Sequence, residues 1–315
     1  MSYIAPFSDL SNKDSGIAGG KGASLGEMTQ SGIPVPPGFV ILTDAFDEFI
    51  KEEDIIQEIE SELNDVDQSQ VHTVERASER IQKLIFEGTI SQEMSEKILD
   101  SFRTLDTPFV AVRSSATAED SASAAWAGQL DTFLNTTDGT LLTNVKRCWA
   151  SLFTPRAIFY RFEQGLRDSH VSVAVVVQKM IESEVSGIAF SVHPVTEDPD
   201  QIIIEAGLGL GEAVVSGQIT PDSYVVSKKD RHIIDINVSE QSRGIYRKSD
   251  GGNEWRDLGS DGAVQKLDDE RILELSDIVV AIEKHYGGPQ DIEWALEGGK
   301  LYIVQSRPIT TLSAS

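Results

Sequence analysis

Two carboxylates, an amide and a guanidinium are spaced so that they can share one face near the C-terminal end of this chain. In Asp291-Ile292-Glu293-Trp294, strand alternation puts Asp291 and Glu293 on the same side; in Val304-Gln305-Ser306-Arg307-Pro308 it does the same for Gln305 and Arg307. Between them, Glu297-Gly298-Gly299-Lys300 is a turn signal flanked by alternating apolar residues. With a loop of Gly298 to Lys300, Glu293 falls opposite Gln305 and Asp291 opposite Arg307. The other face then gathers Ile292, Trp294 and Leu296 against Tyr302 and Val304. Oxygen ligands of this kind suit Mg²⁺, and arginine suits phosphate. A plain surface hairpin with one ion pair accounts for the same residues.

Further candidates lie upstream. Gly19-Gly20-Lys21-Gly22-Ala23-Ser24-Leu25-Gly26-Glu27-Met28 is a glycine cluster with one lysine that leads into a helical pattern. It can present N–H groups and a cation to phosphate, although it lacks the Walker A spacing and serves equally as an ordinary helix entry. Phe109 to Arg113 is a buried-type strand ending in an arginine, followed by the small-residue loop Ser114 to Asp120 and then Ala127-Gly128-Gln129-Leu130-Asp131-Thr132. That order makes a phosphate clamp, or an ion pair with Glu119 or Asp120. Ala206-Gly207-Leu208-Gly209-Leu210-Gly211 imitates a dinucleotide fingerprint, but its third glycine comes one residue early and no ordinary βαβ unit follows, which excludes a Rossmann reading. The five histidines, His72, His170, His193, His232 and His285, form no metal pair and no triad; His193 alone lies near glycine loops.

The elements that must position these groups follow from the pattern. Residues 44–105 read as helices with acidic outer faces, one of them Val74 to Phe86, with a polar connection at 64–70. Residues 138–165 read as helical, with Trp149, Phe153, Phe159 and Tyr160 as core. Val171 to Met180 and Val185 to Val192 read as adjacent strands, Gln178 closing the first; Gln201 to Glu205 and Asp222 to Lys228 are further strands. Residues 238–262 read as a mobile connection and Leu267 to His285 as a long helix. The longest apolar run, Val173 to Val177, is far short of a membrane span. Fifty-one acidic against 27 basic residues give a net charge of −24, which argues against nucleic acid or an anionic membrane as partner. Any anionic ligand must therefore be held by a few placed cations, backbone N–H groups and metal. The single cysteine, Cys148, excludes an internal disulfide and reads as a buried helical thiol. The first residues carry no export signal, which makes cytoplasm the expected location.

Taken in order, these stretches resemble the N-terminal ATP-binding domain shared by phosphoenolpyruvate synthase, pyruvate phosphate dikinase and rifampin phosphotransferase. The matching pieces are 19–28, Pro-Val-Pro-Pro-Gly-Phe at 34–39, Arg-Ser-Ser-Ala-Thr-Ala-Glu-Asp at 113–120 and Ala-Gly-Gln-Leu-Asp-Thr at 127–132. Gly-Leu-Gly-Glu within the glycine run ending at Glu212, Asp-Ile-Glu-Trp at 291–294 and Gln-Ser-Arg-Pro at 305–308 complete the set. Trp149 to Phe153, with Arg156-Ala157 and Tyr160-Arg161, is especially similar to rifampin phosphotransferase.

The resemblance implies an α+β, ATP-grasp-like fold: one domain over 1–315, in two lobes, 1–180 and 181–315, that hold Mg-ATP between them. It implies that Lys21 and Arg113 contact the phosphates, that Gly128 and Thr132 line the phosphate side, and that Gln178 lies near the adenine. Glu293 and Gln305 would bind Mg²⁺ and Arg307 would contact the transferred phosphates, which makes Arg113 and Arg307 the catalytic cations. Family enzymes pass phosphate through a histidine on a mobile domain to a separate acceptor domain. Ser169-His170, the one Ser-His pair here, has no glycines around it. The expectation is thus an ATP-dependent phosphotransferase component working with a histidine-bearing carrier domain or protein, for phosphoenolpyruvate synthesis or rifampin-type phosphorylation. The rival expectation is a non-catalytic module that senses ATP and regulates a partner.

Overall fold

The chain falls into two compact units, Met1–Gln30 with Pro37–Met180, and Ser31–Pro36 with Ile181–Ser315. A computed structural model describes residues 3–117, 131–167, 171–248 and 251–309. Among them no helix is long and apolar enough to cross a membrane.

In the first unit, β1 (Ile4–Pro6), α1 (Ser15–Gln30) and β2 (Gly38–Ile41) precede the helices α2 (Thr43–Glu52), α3 (Ile56–Asn64), α4 (Val71–Glu87) and α5 (Gln92–Thr104). Then come β3 (Val110–Ala116), β4 (Thr132–Thr136), α6 (Leu141–Ser151), α7 (Pro155–Glu163) and β5 (Val173–Lys179). Apolar residues three and four apart give each helix one buried stripe. Examples are Val74, Ala77, Ile81 and Ile85 on α4, and Met94, Ile98 and Phe102 on α5. The stripes meet around Trp149, whose ring centroid lies 4.9 Å from that of Phe49 and 5.8 Å from that of Phe46. Phe159 and Tyr160 pack on the edge of this core and are only partly buried. Thr154 starts α7 by accepting a hydrogen bond from the Ala157 N–H, with Pro155 at the first helical position, where its missing donor costs nothing.

The five strands form an antiparallel sheet in the order β1-β2-β5-β3-β4. Val110, Val112, Ala116, Val173, Val175 and Val177 face the helical core. Alternation therefore turns Ala111, Arg113, Ser115, Ala174, Val176 and Gln178 to the opposite face, where α1 packs. Ser114 to Ala116, expected in a loop, continue β3 because their small side chains are buried.

The second unit contains β6 (Val185–Phe190), β7 (Gln201–Leu208), the short α8 (Glu212–Val215), β8 (Asp222–Ser227) and β9 (His232–Asn237). A separate hairpin of β10 (Arg243–Arg247) and β11 (Asn253–Asp257) follows, then α9 (Asp269–Tyr286), β12 (Gln290–Glu297) and β13 (Lys300–Pro308). Six strands run antiparallel in the order β13-β12-β6-β7-β8-β9, which bears out the exclusion of a Rossmann fold. β5 and β6, expected as adjacent strands, belong to different sheets. The helix α9 is capped at one end by the Asp268 carboxylate on the Arg271 N–H and stopped at the other by left-handed Gly287.

The stretch 238–262, expected as a mobile connection, carries β10 and β11 among its described residues and is anchored at both ends. Asp222, wholly buried, accepts the Ser239 N–H at 3.0 Å, the Lys266 N–H at 2.9 Å and the Tyr224 hydroxyl at 2.8 Å. The buried Lys266 ammonium lies 3.1 Å from the same carboxylate and also donates to the Ser239 and Gly262 carbonyls. Both feet of the excursion thus close on one side chain. The Gln241 amide joins its start to β7 by bonding the Leu208 N–H and the Ala206 carbonyl.

Candidate functional site

In the first unit the glycine cluster is part of α1, not a loop before it. Gly19 breaks the helix with φ 65° and ψ 171°, so Gly20, Lys21 and Gly22 become first-turn residues of the segment that restarts there. A Cβ at Gly19 would lie 2.3 Å from the Ser115 carbonyl oxygen, so only glycine lets α1 come this close to β3. The Gly22 N–H donates to the Ser115 hydroxyl at 3.3 Å, which ties the lysine-bearing turn to the strand that carries Arg113.

Cross-strand register places three of the expected residues on that same sheet face. Thr132, Arg113, Val176 and Val40 form one row across β4, β3, β5 and β2. Ala111, Gln178 and Gly38 form a parallel row two residues along. Arg113 is 7% exposed and Gln178 1%. The Gln178 Nε2 has no hydrogen-bond partner among the described residues. A buried amide donor without a partner costs about 1–3 kcal/mol, so this atom fits a bound group that supplies an acceptor. Gly128 lies outside the described residues.

In the second unit the expected pairings are present: Glu293 is opposite Gln305 and Asp291 opposite Arg307. They arise differently from the simple reading. The turn is the two residues Gly298 and Gly299, both at positive φ (57° and 73°), and a bulge past Glu293 and Trp294 leaves Val304 unmatched. The apolar partners are consequently Leu301 opposite Leu296 and Ile303 opposite Trp294, in place of Tyr302 and Val304. Leu301 and Ile303 are buried, whereas Tyr302 and Val304 are half-buried.

Two rows result on one face of the six-stranded sheet, the first mostly polar and the second polar at its ends. The first runs Gln305, Glu293, Ile188, Glu205, Ser223, Asn237; the second runs Arg307, Asp291, Phe190, Ile203, Val225, Asp235. Arg307 is held by Asp291, with Nε at 2.8 Å and Nη2 at 2.7 Å from the same carboxylate oxygen. The guanidinium is about half exposed, so the pair contributes roughly 0–1 kcal/mol and orients the arginine at little cost to a competing anion. Glu205 was not singled out by sequence reasoning. Its signal was an acid closing the apolar run Ile202-Ile203-Ile204. Burial, with the Asp291 charge added, pushes its carboxyl above the usual carboxylate range.

No group of three or more His, Cys, Asp or Glu among the described residues could hold a metal ion unaided. One carboxylate and one amide oxygen fit a cation that keeps its remaining positions for water and phosphate, as Mg²⁺ does, and do not fit a closed protein cage.

The described histidines are scattered: His72, His232 and His285 are exposed, and Ser31 contacts His285. The His193 Nδ1 accepts the Val195 and Thr196 N–H groups, both at 3.2 Å, so its lone pair closes a turn. Cys148 is buried in α6, and burial pushes its thiol up to about 12.

Among curated relatives, a probable phosphoenolpyruvate synthase of Methanocaldococcus jannaschii is 45% identical, over 99% of this chain and 27% of that protein. The phosphoenolpyruvate synthase of Pyrococcus furiosus is 39% identical, over 98% of the chain and 44% of the relative. The rifampicin phosphotransferase of Bacillus subtilis is 38% identical, over 99% and 36%. The chain thus spans between about a quarter and a half of the length of these relatives. The sequence profile of the pyruvate phosphate dikinase AMP/ATP-binding domain matches residues 15–315, and the chain belongs to that family.

Proposed function

We propose that this chain is the Mg-ATP-binding component of an ATP-grasp-like phosphotransferase that passes phosphate to a histidine on another domain or chain. The observation that carries the reading is the direct pairing of Glu293 with Gln305, beside Arg307, on the polar face of the six-stranded sheet. In this reading the Glu293 carboxylate and the Gln305 amide oxygen hold Mg²⁺, which when bound neutralises charge on the transferred phosphate. Lys21 and Arg113 hold phosphate oxygens, with Gly128 and Thr132 beside them. The Gln178 amide donates to the adenine, which gives its buried Nε2 a partner. Arg307, pre-oriented by Asp291, turns its remaining N–H donors to the phosphate as charge develops there. The histidine acceptor is what the family resemblance implies, while the relatives' names speak of phosphoenolpyruvate synthesis and rifampicin phosphotransfer. The His193 lone pair is engaged, and Ser169-His170 lies outside the described residues.

Calorimetric titration is the direct test. ATP should bind in the presence of Mg²⁺ and bind much more weakly after EDTA; equal affinity in both would remove the metal from Glu293 and Gln305. With labelled ATP the lone chain should form no acid-labile phosphoprotein, and a separately made histidine domain from a relative should become labelled when added. Acid-labile, base-stable label on the chain itself would mean that one of its own histidines is the acceptor.

A further inference from the structure

The face of the six-stranded sheet turned away from Glu293, Gln305 and Arg307 carries a hydrogen-bonded network under α9. Lys228, just past the end of β8, donates to one oxygen of the Glu283 carboxylate on α9 at 2.6 Å. The Ser191 hydroxyl, just past β6, donates to the other oxygen at 2.9 Å and accepts the Gln290 N–H of β12 at 2.8 Å. The Gln290 side-chain oxygen then accepts the Ser306 hydroxyl of β13 at 2.9 Å, while its amide nitrogen donates to the Gly288 carbonyl. Ser191, Gln290 and Ser306 are all buried.

The network ends on the residue between two site candidates. Along β13, alternation points Gln305 and Arg307 to one face and Ser306 to the other. The Ile309 N–H bonds the Pro289 carbonyl, and ladder bonds recur at every second residue, so they fall at Arg307 and Gln305 and not at Ser306. β13 ends the strand order, with β12 as its neighbour. The hydroxyl therefore supplies at Ser306 the inward bond that the backbone supplies on either side. A side chain locked in this way fixes the pleat, and with it the direction of the residues that flank it. We propose that Ser306, held through Gln290, Ser191 and Glu283, is a positioning residue that aims Gln305 at Mg²⁺ and Arg307 at phosphate. This rests on the Mg-ATP reading given above and deepens it by naming what holds its two β13 ligands in place.

Calorimetric titration of the full chain with ATP, in Mg²⁺ and in EDTA, tests it. The quantity read is the gain in ATP affinity that Mg²⁺ gives. Ser306→Ala should cut that gain by roughly three- to tenfold, the range of one hydrogen bond, with affinity in EDTA little changed. Ser306→Thr, which keeps the hydroxyl, should retain the gain. Ser191→Ala breaks the network one bond farther from β13 and should lower the gain by less. An unchanged gain in Ser306→Ala, equal weakening with and without Mg²⁺, or a gain that Ser306→Thr fails to keep would each overturn the proposal. Thermal melting shows which variants fold; should Ser306→Ala not fold, Ser191→Ala decides, and an unchanged gain there overturns the proposal. A wild-type chain with no gain at all removes the metal from Glu293 and Gln305, and the positioning role falls with that reading. A wild-type gain that survives intact in Ser306→Ala removes the positioning role alone.

Discussion

Replacing Glu293 by Gln keeps the size of the side chain and removes one negative charge from the polar face. With a histidine domain present, Glu293→Gln should lower phosphotransfer by roughly 10²–10³-fold, the scale of one lost electrostatic partner of a transition state, while melting stays close to wild type. An unchanged rate in the folded variant would return Asp291 to Trp294 to the reading of a plain surface hairpin. Cys148 calls for a different experiment. Its thiol is held up to about 12 by burial, whereas in the unfolded chain it ionises near about 8.5. The folded state keeps a proton that the unfolded chain gives up, so this contribution to stability is whole below about pH 8.5 and is lost as pH rises toward 12. At pH 8.5 iodoacetamide should therefore label the chain only once denaturant opens α6. Labelling of the folded protein would contradict the burial of this thiol.

At the scale of elements, Gly19 is where a single methyl does most harm. Gly19→Ala places a Cβ 2.3 Å from the Ser115 oxygens at φ 65°, and should destabilise by about 2–4 kcal/mol in a urea titration. An unshifted midpoint would show that α1 does not approach β3 so closely. The hairpin illustrates how far the chain could be read before its structure. Alternation sets the faces, and a three-residue loop puts Glu293 opposite Gln305; the pairing holds because the bulge restores the residue that the shorter turn removes. The bulge at Val304 left no mark in composition, so the turn came out one residue too long and the apolar partners one residue off. Small side chains predict loop for Ser114 to Ala116, whereas their burial between α6 and α1 is a tertiary fact that propensity does not carry. β4 is short and mostly polar and β9 is short and exposed, so neither carries the apolar alternation that marks a half-buried strand. The row of Glu205 is assembled from six separate strands, which no local pattern shows.

Across the whole molecule, a net charge of −24 sets the response to salt. Repulsion among 51 carboxylates acts against the compact state and is screened within about 10 Å at 0.1 M salt. The melting temperature should accordingly rise as sodium chloride is added from low concentration, and a fall would show that attractive pairs outweigh the repulsion. The clamp at Asp222 has a consequence on the same scale. A chain with one cysteine cannot cross-link itself, yet the bonds from the Lys266 N–H to Asp222 join positions 44 residues apart. A disulfide at such a junction would restrain the unfolded chain as well and would depend on the redox state around it. This carboxylate restrains only the folded form and holds equally in reducing and oxidising surroundings. It is a staple that forms with the fold and needs no covalent chemistry, and both ends of the excursion, at residues 239 and 266, close on it.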